Sequence, residues 1–153
     1  MLDAQRTGRC VAFAHEQDGA AAWLLPRSAE VDLRESETIA RFLAATLGPR
    51  GYQNYYRIVR FMSPLAKRDV PADAWYLSIV GIHPLAQGKG LGANLLRSTL
   101  EEVDGTRVVA YLETLSPRNS AFYERLGFRC IAQFDEPTTK ATYAIMRREA
   151  LAD

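Results

Sequence analysis

The stretch from Trp75 to Leu112 constrains the fold more than any other part of the chain. It opens with Trp-Tyr-Leu-Ser-Ile-Val-Gly-Ile, Trp75 to Ile82, apolar and rich in β-formers on both faces, which suits a central buried strand better than an edge one. A polar, glycine-rich loop leads into Leu91, Leu95, Leu96, Leu100 and Val103 at helical spacing, and Val108 to Leu112 is a second buried strand. A strand, helix, strand order of this kind pairs the two strands in parallel through a right-handed crossover.

The flanking segments extend this centre. Arg9 to His15 and Ala20 to Leu25 read as an antiparallel pair around a Gln17-Asp18-Gly19 turn. From Ser36, Ile39, Phe42, Leu43 and Leu47 share one helical face, and Gly48 is the expected stop. A second helical stretch is expected from Tyr52 to Met62. Ser116 and Pro117 form an N-cap and first-turn pair for a helix through Leu126, closed by Gly127. Phe128 to Phe134 and Ala141 to Met146 are two more strands around Glu136-Pro137-Thr138. The predicted order is β-β-α-α-β-α-β-α-β-β, an α/β (α+β) domain with a mixed sheet. No repeat, low-complexity tract or linker divides it, so residues 1–153 are expected to form a single domain.

Composition excludes several function classes. A chain of 153 residues buries roughly 68–70% of its unfolded surface, so it needs no structural metal or disulfide. The 19 Lys and Arg balance 18 Asp and Glu, and charges are interspersed. No global field draws the protein to nucleic acid or anionic lipid. The longest apolar run, Ala20 to Leu25, is far short of the roughly 20 residues of a membrane span, and the N-terminus has no apolar signal core. Cys10 and Cys130 form no CxxC pair and read as buried small hydrophobes. The expected compartment is the reducing cytoplasm.

Gln87-Gly88-Lys89-Gly90-Leu91-Gly92-Ala93 sits between a buried strand and the start of a helix. The first turn of a helix leaves N–H groups without intrahelical partners, and a loop lacking Cβ atoms lets a phosphate approach them. Lys89 adds a charge. The run also fits GxGxxG/A, but five residues including Pro84 separate Ile82 from Gly88, whereas a dinucleotide fingerprint follows its strand almost directly. No GxxxxGK[ST] Walker motif occurs. A plain flexible turn remains the other reading.

With Gln87, Gly90 and Gly92 in the spacing Arg/Gln-x-x-Gly-x-Gly/Ala, the loop resembles the acyl-CoA loop of the GNAT superfamily of N-acetyltransferases. Tyr111 to Phe128 resembles a second block of that superfamily, and its run LET-x-x-PRN-x-x-FYERLGF is closest to the puromycin N-acetyltransferase type. The resemblance implies a fold in which the strands Trp75 to Ile82 and Val108 to Leu112 splay apart around the pantetheine arm of acetyl-CoA, the co-substrate. Gly81 is the candidate bulge that starts the splay. By resemblance, Val80 and Ile82 offer backbone groups to pantetheine, and amides around Gln87, Gly88, Lys89, Gly90, Gly92 and Ala93 hold the pyrophosphate. Core packing is the plainer reading of Val80 and Ile82, and both can hold.

Asn119 and Tyr123 lie four apart, on one face of a helix. The resemblance makes Asn119 a partner of the cofactor arm and Tyr123 the acid that protonates the departing thiolate. Packing beside Phe122 is the alternative for Tyr123. An amine attacks a thioester only when neutral, so a base is also needed. Glu113 is the candidate, at the C-terminal end of its strand, where α/β sheets place ligands. It could instead cap the helix at Ser116 or pair with Arg118. His83 is the second candidate, and a satisfied surface histidine is its simpler reading. Of Tyr52, Tyr55, Tyr56, Phe61 and Met62 some must be core, and the resemblance implies that those on the other face line an acceptor pocket for a hydrophobic or aromatic amine.

A complete family domain carries a strand and two helices before the hairpin, which this sequence lacks. A truncated reading frame, a naturally short variant and an edge completed by another subunit all stay open. The last predicts a homodimer through Arg9 to His15. The function expected is acetyl transfer to a primary amine of a small molecule in a ternary complex. The alternative is a non-catalytic acyl-CoA-binding or interaction module with an incomplete acceptor site.

Overall fold

A computed structural model describes residues 8–12, 19–26 and 29–150. The elements are β1 (Gly8–Ala12), β2 (Gly19–Leu24), α1 (Ala29–Asp69), β3 (Trp75–Ile82), α2 (Leu91–Thr106), β4 (Ala110–Thr114), α3 (Ser120–Glu124), β5 (Arg129–Asp135) and β6 (Thr142–Arg148), with 3-10 turns at Pro84–Ala86 and Pro117–Asn119. They build one six-stranded mixed sheet in the order β1-β2-β3-β4-β6-β5, parallel only between β3 and β4. The fold class is therefore as expected. Of the predicted first hairpin, positions 13–18 lie outside the described residues, among them the last three positions of the strand proposed as a dimer edge, and so does the side chain of Cys10.

Side chains alternate across β4 and divide the protein into two layers. Ala110 and Leu112 face α2, where they pack with Trp23, Trp75, Leu77, Leu95, Leu96, Leu100, Val103, Phe128 and Met146. One buried polar relay ties β2 to α2: the Trp23 indole donates to Thr99 Oγ1 at 3.1 Å, and that hydroxyl donates to the Leu96 carbonyl at 2.9 Å. On the opposite face, Tyr143, Ile145, Tyr111 and Phe134 pack against Phe61, Met62, Leu65 and Ala66 of α1.

Three expectations need correction. The two early helices meet at Gly48, whose backbone is non-helical (φ 67°, ψ 176°) as the expected stop requires, but the second runs past Met62 and through Pro64 to Asp69. Proline inside a helix costs about 3 kcal/mol, but Leu65 and Ala66 are seated against Tyr143 and Ile145, and that burial holds the last turn in place. The face read as core is only half covered: Phe42 is 64% and Leu47 45% exposed. Cys130 is exposed, on an edge strand whose register slips between Cys130 and Ala132. Edge position, which hydrophobicity does not encode, decides its exposure.

Candidate active site

The ladder between β3 and β4 is short. It joins Trp75 to Ala110, Tyr76 to Tyr111 and Leu77 to Leu112, and then ends. At the same height β3 carries a bulge: Ala22 pairs with Ile79 and Trp23 with Leu77, so Ser78 is the extra residue. A bulge bends and twists its strand, which accounts for the parting of β3 from β4 above Leu77. The splay is thus present, but Gly81 does not start it, because Gly81 keeps regular register with Ala20. A Cβ at Gly81 would meet nothing within 4 Å.

The loop from β3 to α2 is braced from within. The Gln87 amide donates to the Pro84 carbonyl at 3.3 Å and its side-chain Nε2 to the Ile82 carbonyl at 3.0 Å. One side-chain N–H and the backbone N–H of Gln87 thus hold the loop to the end of β3. His83 Nδ1 accepts the Leu85 N–H at 3.3 Å, which makes it a turn cap. Gly88 (φ 78°) and Gly90 (φ 76°) both have left-handed backbone, and neither has an atom within 4 Å of where a Cβ would stand. The first bond of α2 runs from the Asn94 N–H to the Gly90 carbonyl at 3.2 Å, so the amides of Leu91, Gly92 and Ala93 precede it. With exposed Lys89 beside them, these donors fit an anionic phosphate group. Gly92 also serves packing: a Cβ there would sit 3.2 Å from the Phe122 ring.

Val80 and Ile82 are half-buried against the α2 core. Asn119 ends the Pro117–Asn119 turn, is exposed, and caps nothing with its side chain. The helix expected from Ser116 to Leu126 is this turn followed by a single turn, α3. Ser116 gives no side-chain cap; Thr114 Oγ1 instead accepts the Ser116 N–H at 3.1 Å. Tyr123 lies edge-on to Phe122, with centroids 5.1 Å apart, and to Phe128, at 6.1 Å. Burial pushes its phenol above the ordinary 10. Among the described residues its hydroxyl has no hydrogen-bond partner.

Glu113 neither caps at Ser116 nor pairs with Arg118. Its Oε1 accepts the Tyr143 hydroxyl at 2.5 Å. It lies one residue beyond the last rung of the β3–β4 ladder, on the face opposite α2. Tyr76 and Tyr111 stack beside it, centroids 4.7 Å apart and 21° between planes. Burial first, then the charge of Glu113, pushes Tyr111 up to about 12. The same two causes, in that order, raise Tyr76 well above the usual phenol range. Burial and the hydrogen bond to Glu113 do the same for Tyr143. Tyr55 of α1 adds to the effect on Tyr76. Sequence reasoning missed Tyr76, Tyr111 and Tyr143, and alternation on the strands was the one available clue. Tyr123 and Glu113 accordingly flank the splay from opposite faces of the sheet.

The family model of the acetyltransferase (GNAT) domain matches residues 52–130, just over half of the 153-residue chain. The chain belongs to the GNAT acetyltransferase family. Among solved structures, a polyamine N-acetyltransferase of Drosophila melanogaster superposes with a TM-score of 0.68 at 16% identity, over 97% of this chain and 78% of its own. An agmatine N-acetyltransferase variant in its apo form gives 0.62 at 17% identity, over 97% and 80%. A mosquito arylalkylamine N-acetyltransferase-like protein gives 0.58 at 16%, over 86% and 68%. At these identities the likeness is one of fold, and it places this mixed sheet among GNAT folds. Among the described residues no group of His, Cys, Asp and Glu could hold a metal ion, and no helix is long and apolar enough to cross a membrane.

Proposed function

We propose that this GNAT protein is an acetyl-CoA-dependent N-acetyltransferase that transfers the acetyl group directly to the primary amine of a small molecule within a ternary complex. The parting of β3 from β4 carries the reading, because it leaves the backbone of β3 beyond Leu77 unpaired on the β4 side, free for an extended cofactor arm, between the glycine loop that follows β3 and Glu113 on β4. In this reading the amides of Leu91, Gly92 and Ala93, with Gly88, Lys89 and Gly90, take the pyrophosphate. Gln87 holds the loop in shape. Backbone groups of Val80 and Ile82 and the side chain of Asn119 take the pantetheine arm.

Glu113 accepts one proton from the incoming ammonium. The freed nitrogen lone pair forms the C–N bond to the thioester carbon, and the C–S bond breaks with its electron pair on sulfur. Tyr123 gives its proton to that sulfur. The second proton lost by the nitrogen restores the phenol through solvent, and the proton on Glu113 leaves to water, so one proton is released per turnover. A phenol whose burial keeps it protonated suits the acid role. The small-amine acceptor is supported by the names of the structural neighbours, which act on polyamines, agmatine and arylalkylamines.

Calorimetric titration with acetyl-CoA, desulfo-CoA and NAD tests the cofactor half. Micromolar binding of the CoA compounds without NAD binding is expected, followed by thiol release in an amine panel. No CoA binding would overturn the reading. CoA binding without turnover on any amine would favour a non-catalytic acyl-CoA-binding module.

A further inference from the structure

The surroundings of Glu113 are short of one positive charge. Its carboxylate is half-buried, and among the described residues no lysine or arginine pairs with it. The cation across the strand from Tyr111, Arg147, is bonded elsewhere, to Glu149 at 2.6 Å and to the Asp69 carbonyl at 3.4 Å. A carboxylate taken partly out of water without a counter-ion is costly to keep charged. What lies around it instead is aromatic. Tyr76 and Tyr111 stand as a stacked pair on the same face, and Tyr143 fixes one carboxylate oxygen. Tyr143 is itself wholly buried and held by Phe61 and Phe134, each 6.2 Å away between centroids. The Tyr76 hydroxyl also bonds to the Glu113 carboxylate, so two tyrosines steady it and neither brings a positive charge.

We infer that Glu113, Tyr76 and Tyr111 form a cation-selecting acceptor subsite, which takes a basic alkylamine as its ammonium and holds it between the carboxylate and the outer ring face of the stacked pair. This rests on the proposed acetyltransferase reading and narrows its acceptor class. Ring faces attract cations through their quadrupole, and tyrosines that stay protonated add no competing negative charge. A weakly basic arylamine, neutral at pH 7, forgoes both attractions. Tyr143 acts as a positioning residue, since it orients the carboxylate and does not reach the acceptor.

The test uses choline and its neutral isostere 3,3-dimethylbutan-1-ol, neither of which carries an N–H to acetylate. Both are titrated into the full chain by calorimetry, with and without CoA. Choline is expected to bind at least tenfold more tightly than the alcohol. Tyr111→Leu should weaken choline by about 5- to 30-fold, while Tyr111→Phe, which keeps the ring face, restores it. Glu113→Gln should abolish the preference over the alcohol. Equal binding of the two probes, or binding of neither by protein that binds CoA normally, overturns the subsite and leaves the acetyltransferase reading standing. A choline preference in protein that binds no CoA supports the subsite and overturns that reading. Choline selectivity unchanged in Glu113→Gln, with circular dichroism showing a folded variant, also overturns it.

Discussion

Tyr123→Phe removes one oxygen atom and is the sharpest probe of the proposed chemistry. The ring is held by edge contacts to Phe122 and Phe128 and belongs to the α2 core, and all of this survives the substitution. The hydroxyl has no hydrogen-bond partner among the described residues, so its loss strands no buried donor or acceptor. Stability should therefore change by no more than about 0.5 kcal/mol, and CoA affinity should stay within about twofold. A positioned general acid contributes about 10²- to 10⁴-fold, so kcat should fall by that factor, equivalent to about 2.7–5.4 kcal/mol of barrier. Thiol release at saturating acetyl-CoA and amine measures kcat, calorimetry the affinity, and thermal unfolding the stability. Burial holds the wild-type phenol above its ordinary value of 10, so Tyr123 should impose no loss of activity below about pH 10. Tyr123→Phe with more than about a fifth of the wild-type kcat and normal CoA affinity would refute the acid role. A parallel fall in kcat, affinity and melting temperature would show that the residue packs and does no more.

Three further outcomes follow from local geometry. Gly90→Ala places a side chain at φ 76° with open space around it, so the cost is backbone strain alone, about 1 kcal/mol; a melting temperature lower by a few degrees and weaker CoA binding are expected, and an unchanged melting temperature would contradict the assignment. Gly92→Val drives carbon into the Phe122 ring, which a Cβ already approaches to 3.2 Å, and should cost about 1–3 kcal/mol in urea unfolding. The third concerns Glu136, wholly buried in the β5–β6 turn. Burial pushes its carboxyl up, but bonds from the Thr139 hydroxyl and the Thr138 and Thr139 amides outweigh this and hold it at about 2. Because the folded value lies below the ordinary 4.5, its stabilisation is present above pH 4.5 and is lost as pH falls toward 2. Urea midpoints should drop between pH 5 and pH 3 in the wild type and less steeply in Glu136→Gln; identical slopes would show that Glu136 carries no linkage.

Local pattern made the central crossover legible. The run Trp75–Ile82 is apolar on both faces and its strand has the expected ends, but only its first half is buried as expected, since Ile79 beyond the bulge is 50% exposed. The glycine loop was readable for a similar reason, since Gly88 and Gly90 hold a backbone that other residues adopt only with strain. The break between the early helices at Gly48 was readable, but the end of the second was not. Pro64 looks like a stop until Leu65 and Ala66 find Tyr143 and Ile145, residues almost eighty positions away. Glu113 stood out by position, yet its partner did not, because Tyr143 reaches it only through the pairing of β4 with β6.

The sequence by itself determined the order of most elements, the parallel crossover and the phosphate-sized loop, since each depends on periodicity, backbone freedom or residues close in the chain. The tertiary structure decided where the strands part, that Cys130 is exposed, and that three tyrosines and one carboxylate share a face. Those outcomes depend on a bulge at Ser78, on edge position and on strand order. They are properties of neighbours distant in sequence, and side-chain chemistry acquires its partners only when the sheet brings those neighbours together.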